Sequence, residues 1–393
     1  MLAVRGGGLF DGVVSVRGPV LILMENGRIV DVDGSGAEPP DRAEFVDLGG
    51  ATLVPGLIDA HLHLAFQPDA DDPVSDLVED ADEVLLERMY ANAAQALTAG
   101  ITTVRDLGDR RFLAGRLGER YQGAVVGPEV LWSGPPITPT KGHCWFLGGE
   151  ADGPDAIRAA VAERAGHGVD VVKIMATGGL LTPGFGLHES QYELAELQIA
   201  VQAAHGYGLP ITAHAHGPQG IADAVTAGVD GVEHCTFATA DGVSLDENTV
   251  DRLAVSGTFV GATEAWLPDG PPFPPAVASR LEQCWRNFAR MHRAGVQVVC
   301  CSDAGIGPRK PHDVLPHGLI LFSQMGFTNA EALTSATSLA AQSCGIADRK
   351  GRLLPGYDAD LLAVAGDPLA DLHALLDVQA VFCRGRRVPQ PDE

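Results

Sequence analysis

Hydrophobic and polar positions repeat in a regular way between residues 54 and 305. In each repeat an alanine-rich amphipathic stretch ends at a glycine, a short run rich in valine and isoleucine follows, and that run closes on polar residues. The glycine is typical of a helix C-cap, because glycine tolerates a positive φ. The apolar run is typical of a strand buried on both faces, as in parallel sheets. The eight strand segments are residues 54–61, 100–106, 127–133, 168–173, 208–214, 228–234, 257–263 and 295–303.

Eight strands that alternate with helices predict an α/β fold, a (β/α)8 TIM barrel over residues 54–353. The polar residues fall at the carboxyl ends of the strands, where such barrels place their active sites. A doubly wound open sheet is the alternative, but it would not gather strand ends from the first to the last around one point. The sequence contains no Gly-x-Gly-x-x-Gly or Walker loop that would support a nucleotide-binding fold.

The two ends of the chain have a different pattern. Near the beginning, two apolar segments flank an Asn26-Gly27 turn, which is a strong signal of a β-hairpin. Near the end, residues 359–364 and 381–388 again favour short strands. Each end is too small to fold alone, so we expect both to pair into one small β-sandwich beside the barrel. The two parts of that sandwich are residues 1–53 and 354–393.

The acidic balance of the chain excludes several classes of partner. Its 393 residues carry 27 basic and 51 acidic side chains, a formal net charge of −24. Such a surface repels phosphate, so we expect neither nucleic acid nor a membrane as partner. A small-molecule substrate and a homo-oligomer are further expectations. No apolar stretch approaches the ~20 residues of a membrane helix, and the N-terminus lacks the pattern of a signal peptide. The seven cysteines are an odd number, which favours a reducing, cytoplasmic location.

Histidine and aspartate residues lie at the predicted strand ends. His61 and His63 are two apart on the first strand, so both side chains point the same way and can reach one ion. His214, His234 and Asp303 end the fifth, sixth and eighth strands. Each of them alone is also compatible with a simple polar residue at a barrel rim. Because all five converge on one mouth, the sequence predicts a metal site there.

Lys173 lies in an apolar run, where a charged ammonium is costly unless it is paired or neutralised. As an amine, it could be the partner of a buried carboxylate or a Schiff-base nucleophile. As a carbamate formed with carbon dioxide, it could bridge two cations as an anionic oxygen ligand. The Schiff-base interpretation leaves the four histidines without a role, so we favour the carbamate. Two divalent ions roughly 3.5–4 Å apart can share a hydroxide of low pKa.

The residues at these strand ends resemble those of a known superfamily. The first-strand segment, residues 54–63, resembles the hallmark of the amidohydrolase superfamily. Residues 172–179 resemble one branch of it, which holds imidazolonepropionase-like amidohydrolases, prolidase-type Xaa-Pro dipeptidases and carboxypeptidases, and ochratoxin-hydrolysing amidases. Residues 212–217, 233–235 and 302–305 match that branch in the same order. The resemblance therefore extends over nearly the whole chain.

The resemblance implies a binuclear site with two divalent ions of the zinc type and with carbon dioxide held as a carbamate on Lys173. Asp303 would bind the more buried ion and also move protons as a catalytic residue. The implied metal ligands are His61 and His63 on the more buried ion, His214 and His234 on the more exposed ion, the bridging Lys173, and Asp303.

Substrate contacts are expected from residues outside this ligand set. His143 resembles a family histidine that helps to hold the scissile carbonyl, and it is a second catalytic candidate. His216, two residues after a ligand, is placed to contact the substrate. Lys141 and Arg309, with the neighbouring Lys310 and His312, could hold a substrate carboxylate. The glycine-rich, apolar loop of residues 177–188 suits a pocket around a hydrophobic group.

Three departures from the family pattern concern the substrate. Gly217 stands where imidazolonepropionase and the deaminases carry an acidic or amide residue, which counts against their chemistry. Residues 261–266 lack the Pro-Thr pair that is usual in the peptidases. Residues 318–320 lack a common glutamate. Both of the latter segments are expected near the pocket.

Together these residues predict a binuclear metal-dependent amidohydrolase that cleaves a C–N amide bond by attack of a metal-bridging hydroxide. Dipeptides of the Xaa-Pro type and N-acyl amino acids are the predicted substrates. The alternative is hydrolysis of carbamates, esters, lactones or cyclic or aryl amides at the same site, since such a nucleophile attacks any polarised carbonyl. A non-catalytic scaffold would have no reason to keep a neutralised lysine in its core.

Overall fold

The structure is a computed structural model that describes residues 1–70, 72–120, 126–182 and 184–389. Its strands are β1 (Leu2–Phe10), β2 (Ser15–Glu25), β3 (Arg28–Asp33), β4 (Glu44–Asp47), β5 (Thr52–Pro55), β6 (Leu57–Leu62), β7 (Ile101–Asp106), β8 (Glu129–Trp132), β9 (Val172–Met175), β10 (Ile211–Ala215), β11 (Gly231–His234), β12 (Phe259–Ala262), β13 (Val298–Cys300), β14 (Leu361–Val364), β15 (Val378–Cys383) and β16 (Arg386–Arg387).

The helices are α1 (Pro73–Glu79), α2 (Asp82–Thr98), α3 (Leu117–Arg120), α4 (Gly153–His167), α5 (Leu194–Gly206), α6 (Pro218–Ala227), α7 (Glu247–Ser256), α8 (Pro275–Ala278), α9 (Leu281–Arg293), α10 (Leu315–Met325), α11 (Asn329–Ser335) and α12 (Ser338–Ser343). Short 3₁₀ turns lie at Leu113–Arg116, Trp145–Leu147 and Leu372–Leu376.

All eight strands predicted between residues 54 and 303 are present, as β6 to β13. Strands β9 to β13 form a parallel five-stranded sheet in sequence order, and β6 to β8 form a parallel three-stranded sheet. Helices lie between most of these strands, so the α/β class is confirmed. The predicted helix ends are also found, since Gly168, Gly228 and Gly257 follow α4, α6 and α7 with φ values of 75°, 90° and 77°.

The predicted (β/α)8 barrel differs from the observed sheets at two junctions. Between β8 and β9 the contact is one isolated parallel bridge of Ile137 with Ile174, because two prolines that precede Ile137 have no N–H to donate. Between β13 and β6 the contact is a bridge of Leu62 with Ala304, next to Asp303, which leaves the strand conformation with a φ of 54°. The described strands therefore form two parallel sheets that meet at isolated bridges, not one closed ladder.

Strands from both ends of the chain pair in one eight-stranded sheet of order β16-β15-β14-β5-β1-β2-β3, with β4 beside β1. The antiparallel pairing of β14 with β5 places Ala363 opposite Leu53. The predicted β-sandwich is not confirmed, because β14 extends the edge of β5 and the described strands of both ends belong to one sheet. The hairpin at Asn26-Gly27 is confirmed as β2 and β3. Residues 390–393 of the predicted tail lie outside the described residues.

The lengths of the helices and the state of the cysteines bear on membrane insertion and disulfide bonding. No helix in the described ranges is long and apolar enough to cross a membrane. All seven cysteines are free thiols, with Cys344 half-buried and the others buried.

Candidate metal centre

The first group of candidate ligands lies where β6, of the three-stranded sheet, meets the end of β13, of the five-stranded sheet. His61 and His63 lie on and just after β6, and the backbone N–H of Asp303 donates to the carbonyl of His61 (2.7 Å). This bond brings the Asp303 Oδ1 to 3.3 Å from His63 Nε2 and 3.6 Å from His61 Nε2. The three side chains are buried, and their ligand atoms lie within 4.8 Å of one another. Two imidazole nitrogens and a carboxylate at this spacing can hold one divalent cation.

A second group consists of His214, His216 and His234, whose ligand atoms also lie within 4.8 Å of one another. The rings of His216 and His234 stack nearly parallel at 4.5 Å, and the His214 ring lies 4.5 Å from that of His234. The spacing of His216 after His214 predicts a substrate contact, whereas the structure brings His216 together with the predicted ligands His214 and His234. The His234 and His61 rings are 5.1 Å apart, so the two groups are neighbours.

Lys173, on β9, faces the same cavity as both groups and is 1% exposed. Its Nζ has no hydrogen-bond partner among the described residues. Burial lowers its pKa to about 8, although the carboxylates of Glu233 and Asp303 act in the opposite direction. An unpartnered buried amine is costly, so this position is suited to a lysine that becomes a ligand.

The second nitrogen of each candidate histidine ligand is already engaged, which fixes the ring and directs the other nitrogen toward the cavity. The carbonyls of Gly108 and Gly178 accept hydrogen bonds from two of these rings. The five contacts are His61 Nδ1 with Glu233 Oε2 (2.8 Å), His63 Nδ1 with Gly108 O (3.2 Å), His214 Nε2 with Gly178 O (3.0 Å), His216 Nδ1 with Thr236 Oγ1 (2.9 Å) and His234 Nδ1 with Thr263 Oγ1 (2.9 Å).

The protonation states of these side chains favour binding of a metal ion over ion pairs among the residues themselves. Burial lowers the pKa of His61 and of His216 to about 4, and it lowers the pKa of His234 well below the usual range. Burial alone would raise the pKa of Asp303, but the hydrogen bond from His63 and the nearby positive charges lower it to about 2. Neutral imidazoles and an ionised carboxylate are the forms that bind a divalent cation, so the residues fit such an ion.

Glu233 was not predicted as a site residue, yet its carboxylate organises the buried side of the centre. Its Oε2 accepts from His61, and its Oε1 accepts from Thr212 Oγ1 (2.7 Å) and Arg105 Nη2 (3.3 Å). Burial acts to raise the pKa of Glu233, but His61, Lys173 and Arg105 hold that pKa well below its usual range. The available sequence signal was a charged residue within an apolar strand, directly before a histidine.

His143 lies in the cavity wall after β8, with its ring 4.6 Å from the ring of His214. Its backbone N–H donates to Gln191 Oε1 (2.6 Å), and its buried Nδ1 has no partner among the described residues. A Cβ on Gly179 would lie 2.3 Å from His143 Nε2. The absence of a side chain at residue 179 therefore allows the imidazole to occupy this place.

Of the other basic candidates, Lys310 lines the cavity, and Lys141, Arg309 and His312 do not. Lys141 is exposed and does not line the cavity. The Arg309 guanidinium also lies outside the lining and donates to carbonyls of the loop at residues 267–271. Lys310 is 2% exposed, and its Nζ donates to two backbone carbonyls. His312 is buried and hydrogen-bonds the backbone carbonyl of residue 63. Sequence spacing placed these side chains near the mouth, but the loops turn Arg309 away and bury Lys310 and His312.

The cavity above the two groups has a volume of about 140 Å³. Much of its lining is apolar, and the predicted loop at 177–188 contributes Leu180, Leu181 and Leu187, while Pro183 lies outside the described residues. Glu264 and Arg280 are further charged side chains in the lining that the sequence analysis did not single out.

Two histidine-rich ligand groups at the carboxyl ends of parallel strands define a metal-dependent hydrolase. The chain belongs to the Amidohydrolase family, whose profile matches residues 52–388. It is therefore a metal-dependent amidohydrolase that acts on C–N bonds, of a family that acts on small-molecule substrates and generally uses divalent metals.

Individual relatives agree with the branch predicted from the sequence. The ochratoxinase of Aspergillus niger is 26% identical over 408 residues, which cover 93% of this chain and 81% of that protein. The crystal structure of a Xaa-Pro dipeptidase with bound methionine in its active site superposes with a TM-score of 0.88 at 28% identity, over 98% and 99% of the two chains. A prolidase complexed with N-methylphosphonate-L-proline gives 0.85 at 27% identity, over 99% of both chains.

Proposed function

We propose that this amidohydrolase is a binuclear enzyme that cleaves the amide bond of dipeptides, of the Xaa-Pro type above all, and of N-acyl amino acids. The observation that carries the proposal is the buried, unpartnered Nζ of Lys173 in a cavity that also holds both ligand groups. Lys173 lies in register with Thr212 of β10, two residues before His214. A lysine in this place supports a carbamate, formed with carbon dioxide, as the bridge between two ions.

The ligand sets follow from the two groups. His61, His63 and Asp303 would hold the more buried ion, and His214 and His234 the more exposed one, with zinc as the proposed metal. His216 shares the second group, so it would either complete that coordination sphere or contact the substrate beside it. When bound, the two cations would polarise the scissile carbonyl and lower the pKa of a water molecule.

Proton movement is assigned to Asp303, because its carboxylate lies beside two ligands of the buried ion and is ionised before the reaction. It would accept the proton of the attacking water at Oδ1 and deliver it to the leaving nitrogen. His143 is neutral, since burial lowers its pKa to about 3. An imidazole N–H in the cavity wall can donate a hydrogen bond to the oxygen of the scissile carbonyl.

The apolar lining supports a hydrophobic or proline residue in the substrate. The Xaa-Pro dipeptidase structure holds methionine, and the prolidase structure holds N-methylphosphonate-L-proline. Both relatives support the same class of substrate for this chain. A substrate carboxylate needs a positive charge nearby, and Arg280 and Lys310 meet this need better than Lys141 or Arg309, because both line the cavity. We retain His143 and His216 as substrate contacts.

The larger organisation is proposed on the same basis. Residues 54–353 would form the catalytic (β/α)8 barrel, in which the isolated bridges complete the ring between the two parallel sheets. Residues 1–53 and 354–393 would fold as the accompanying β-domain, curved into a sandwich. We further propose a cytoplasmic homo-oligomer.

Metal analysis and one substitution test this function. Purified enzyme prepared with bicarbonate should hold up to two divalent ions per chain, and Lys173→Ala should lose bridging and most activity. A short carboxylic acid in solution should restore part of both in that variant. Arg158→Ala, at an exposed site on α4, is the control and should match the wild type. Wild-type enzyme that remains metal-free in excess zinc yet hydrolyses well would refute the assignment.

A substrate panel tests the specificity. Xaa-Pro dipeptides and N-acyl amino acids should be cleaved faster than their methyl esters, aryl amides, carbamates or lactones. If esterification of the carboxylate leaves kcat/KM unchanged, or if lactones are the best substrates, the peptidase assignment is wrong even though the metal centre stands.

A further inference from the structure

Glu264 places a carboxylate in the cavity wall, directly after Thr263, whose hydroxyl hydrogen-bonds the imidazole of His234. The Glu264 residue is 5% exposed. Its Oε2 accepts from the indole N–H groups of Trp285 (2.9 Å) and Trp266 (3.4 Å). Nothing in the proposed reaction uses this group.

The charge of Lys310 acts on the Glu264 carboxylate, but no cation among the described residues forms a direct ion pair with it. Among the described residues no ion pair and no donor to its Oε1 is found, and its hydrogen-bond partners are two neutral indoles. The nearby Lys310 ammonium donates to the carbonyls of Thr263 and Ser302 and lies over the Trp266 ring at 3.9 Å. A buried carboxylate with only neutral donors is costly, and a cationic ligand in the cavity would offset this cost.

The rest of the cavity lining offers a cationic ligand few alternatives to Glu264. Much of the wall is apolar, as at Phe66, Leu187 and Ile306, so a cation has no polar alternative on those sides. Arg280 lines the same cavity. Its guanidinium also donates to the backbone carbonyls of residues 239, 240 and 242, and its charge suits the opposite end of a zwitterion. A dipeptide carries an ammonium and a carboxylate at its two ends, and outside the candidate metal ligands the cavity lining offers Glu264 for the first and Arg280 and Lys310 for the second.

We propose that Glu264 binds an ammonium group of the substrate and thereby selects N-aminoacyl substrates with a free amine over their N-acylated counterparts. This inference rests on the proposed function, of which it narrows the substrate class. The ammonium can belong to the α-amine or to a basic side chain of the residue on the amino side of the scissile bond. Glu264 is a specificity residue in this role and takes no part in the bond-breaking step.

The test compares Leu-Pro, N-acetyl-Leu-Pro and N-acetyl-Lys-Pro as substrates of the wild type and of Glu264→Gln. Glutamine keeps a carbonyl oxygen for the indoles but removes the charge. We expect kcat/KM for Leu-Pro to fall by about 10- to 100-fold, mainly through KM, which is the usual worth of a hydrogen bond to a charged group. N-acetyl-Leu-Pro should change by less than about twofold. Glu282→Gln, an exposed position on α9, should leave all values unchanged.

The three substrates distinguish the sources of the ammonium. If N-acetyl-Lys-Pro also loses activity in Glu264→Gln, a side-chain ammonium is accepted as well as the α-amine, and if it does not, only the α-amine is read. An equal fall for the free and the acetylated dipeptide would show that Glu264 only supports the two tryptophans, and the proposal would be wrong. No change for any substrate would overturn it equally.

A binding measurement separates this proposal from the proposed function. Leucinamide, which carries the ammonium but no peptide bond to proline, should shift the fluorescence of the tryptophans beside Glu264 in the metal-loaded wild type. N-acetyl-leucinamide should bind at least about 10-fold more weakly, and Glu264→Gln should lose the difference. If the dipeptides are not cleaved but this difference is present, the function is wrong and the ammonium site stands. If the two amides bind equally to the wild type, the ammonium site is refuted.

Discussion

Replacement of Glu233 by glutamine is the sharpest probe of how the metal centre is built. The side chain is 1% exposed and receives hydrogen bonds from His61, Arg105 and Thr212. Glutamine has the same shape but one acceptor oxygen in place of two. If that oxygen accepts from His61, the amide N–H group faces Arg105, whose buried guanidinium loses its counter-ion.

Two effects of known size follow. The carboxylate behind a ligating imidazole typically contributes 10- to 100-fold to metal affinity, so the ion that we propose for His61, His63 and Asp303 should bind about 10- to 100-fold more weakly. The ion that we propose for His214 and His234 should be affected less. Removing one partner of a buried ion pair costs about 3–5 kcal/mol, and because glutamine retains one acceptor we expect a loss of about 2–3 kcal/mol in unfolding free energy.

The assay is zinc competition with a chromophoric chelator, combined with urea unfolding of the metal-free protein. The weaker affinity should belong to one of two binding events, and the unfolding midpoint should fall. Glu282→Gln serves as the matched control at a solvent-exposed glutamate. Zinc affinities within twofold of the wild type for both ions would refute the view that Glu233 supports the buried ion through His61.

Three further predictions concern chemistry, positioning and stability. Asp303→Asn should lower kcat by about 10²–10⁴-fold with much of the metal retained, and near-normal turnover would move the proton transfer to His143. Gly179→Ala should lower kcat by about 100-fold, because the new Cβ would lie 2.3 Å from His143 Nε2. Its control is Gly166→Ala, where the new Cβ has open space around it. Equal kcat values for the two variants would contradict the packing argument. Glu129, half-buried against Arg349, has a pKa that burial would raise but that the hydrogen bond and charges of Arg349 and Lys350 lower to about 2. Because the pKa of Glu129 is lower in the folded protein, its carboxylate stabilises the fold fully above pH ~4.5. Glu129→Gln should therefore lower the unfolding free energy of the metal-free protein by about 2–3 kcal/mol at pH 7, and this difference should shrink towards pH 2. A difference in urea unfolding that stays constant with pH would contradict the prediction.

Strand positions were predictable because most of the apolar runs begin soon after a glycine that follows a helix. Gly228 illustrates this, since its φ of 90° turns the chain from α6 into the run that ends at His234. A ligand at the end of a buried run is likewise visible as a polar residue after apolar ones. The metal ligands could therefore be proposed without any knowledge of side-chain contacts.

Other features depend on contacts between distant residues. Glu233 gains its role from His61, which is 172 positions away, and no local pattern reports that contact. Closure of the barrel depends on single bridges, which an apolar run does not encode. His216 was detectable, since His214-x-His216 has the same spacing as the ligand pair on β6, but the family resemblance assigned it to substrate. Arg309 was predicted as a substrate contact, although its guanidinium donates to backbone carbonyls. The sequence of the loop after β13 gives no sign of these contacts.

The pairing of β5 with β14 has a consequence for the order of folding. Strand β5 leads through one glycine into β6, which carries His61, yet its neighbour on one side is residues 361–364. During synthesis the early strand emerges long before its partner, so this edge of the sheet must wait until nearly the whole chain has left the ribosome. Such distant pairing forms slowly. The strand that anchors the first metal ligands therefore reaches its final support among the last steps, and we expect the ions to be captured after synthesis is complete.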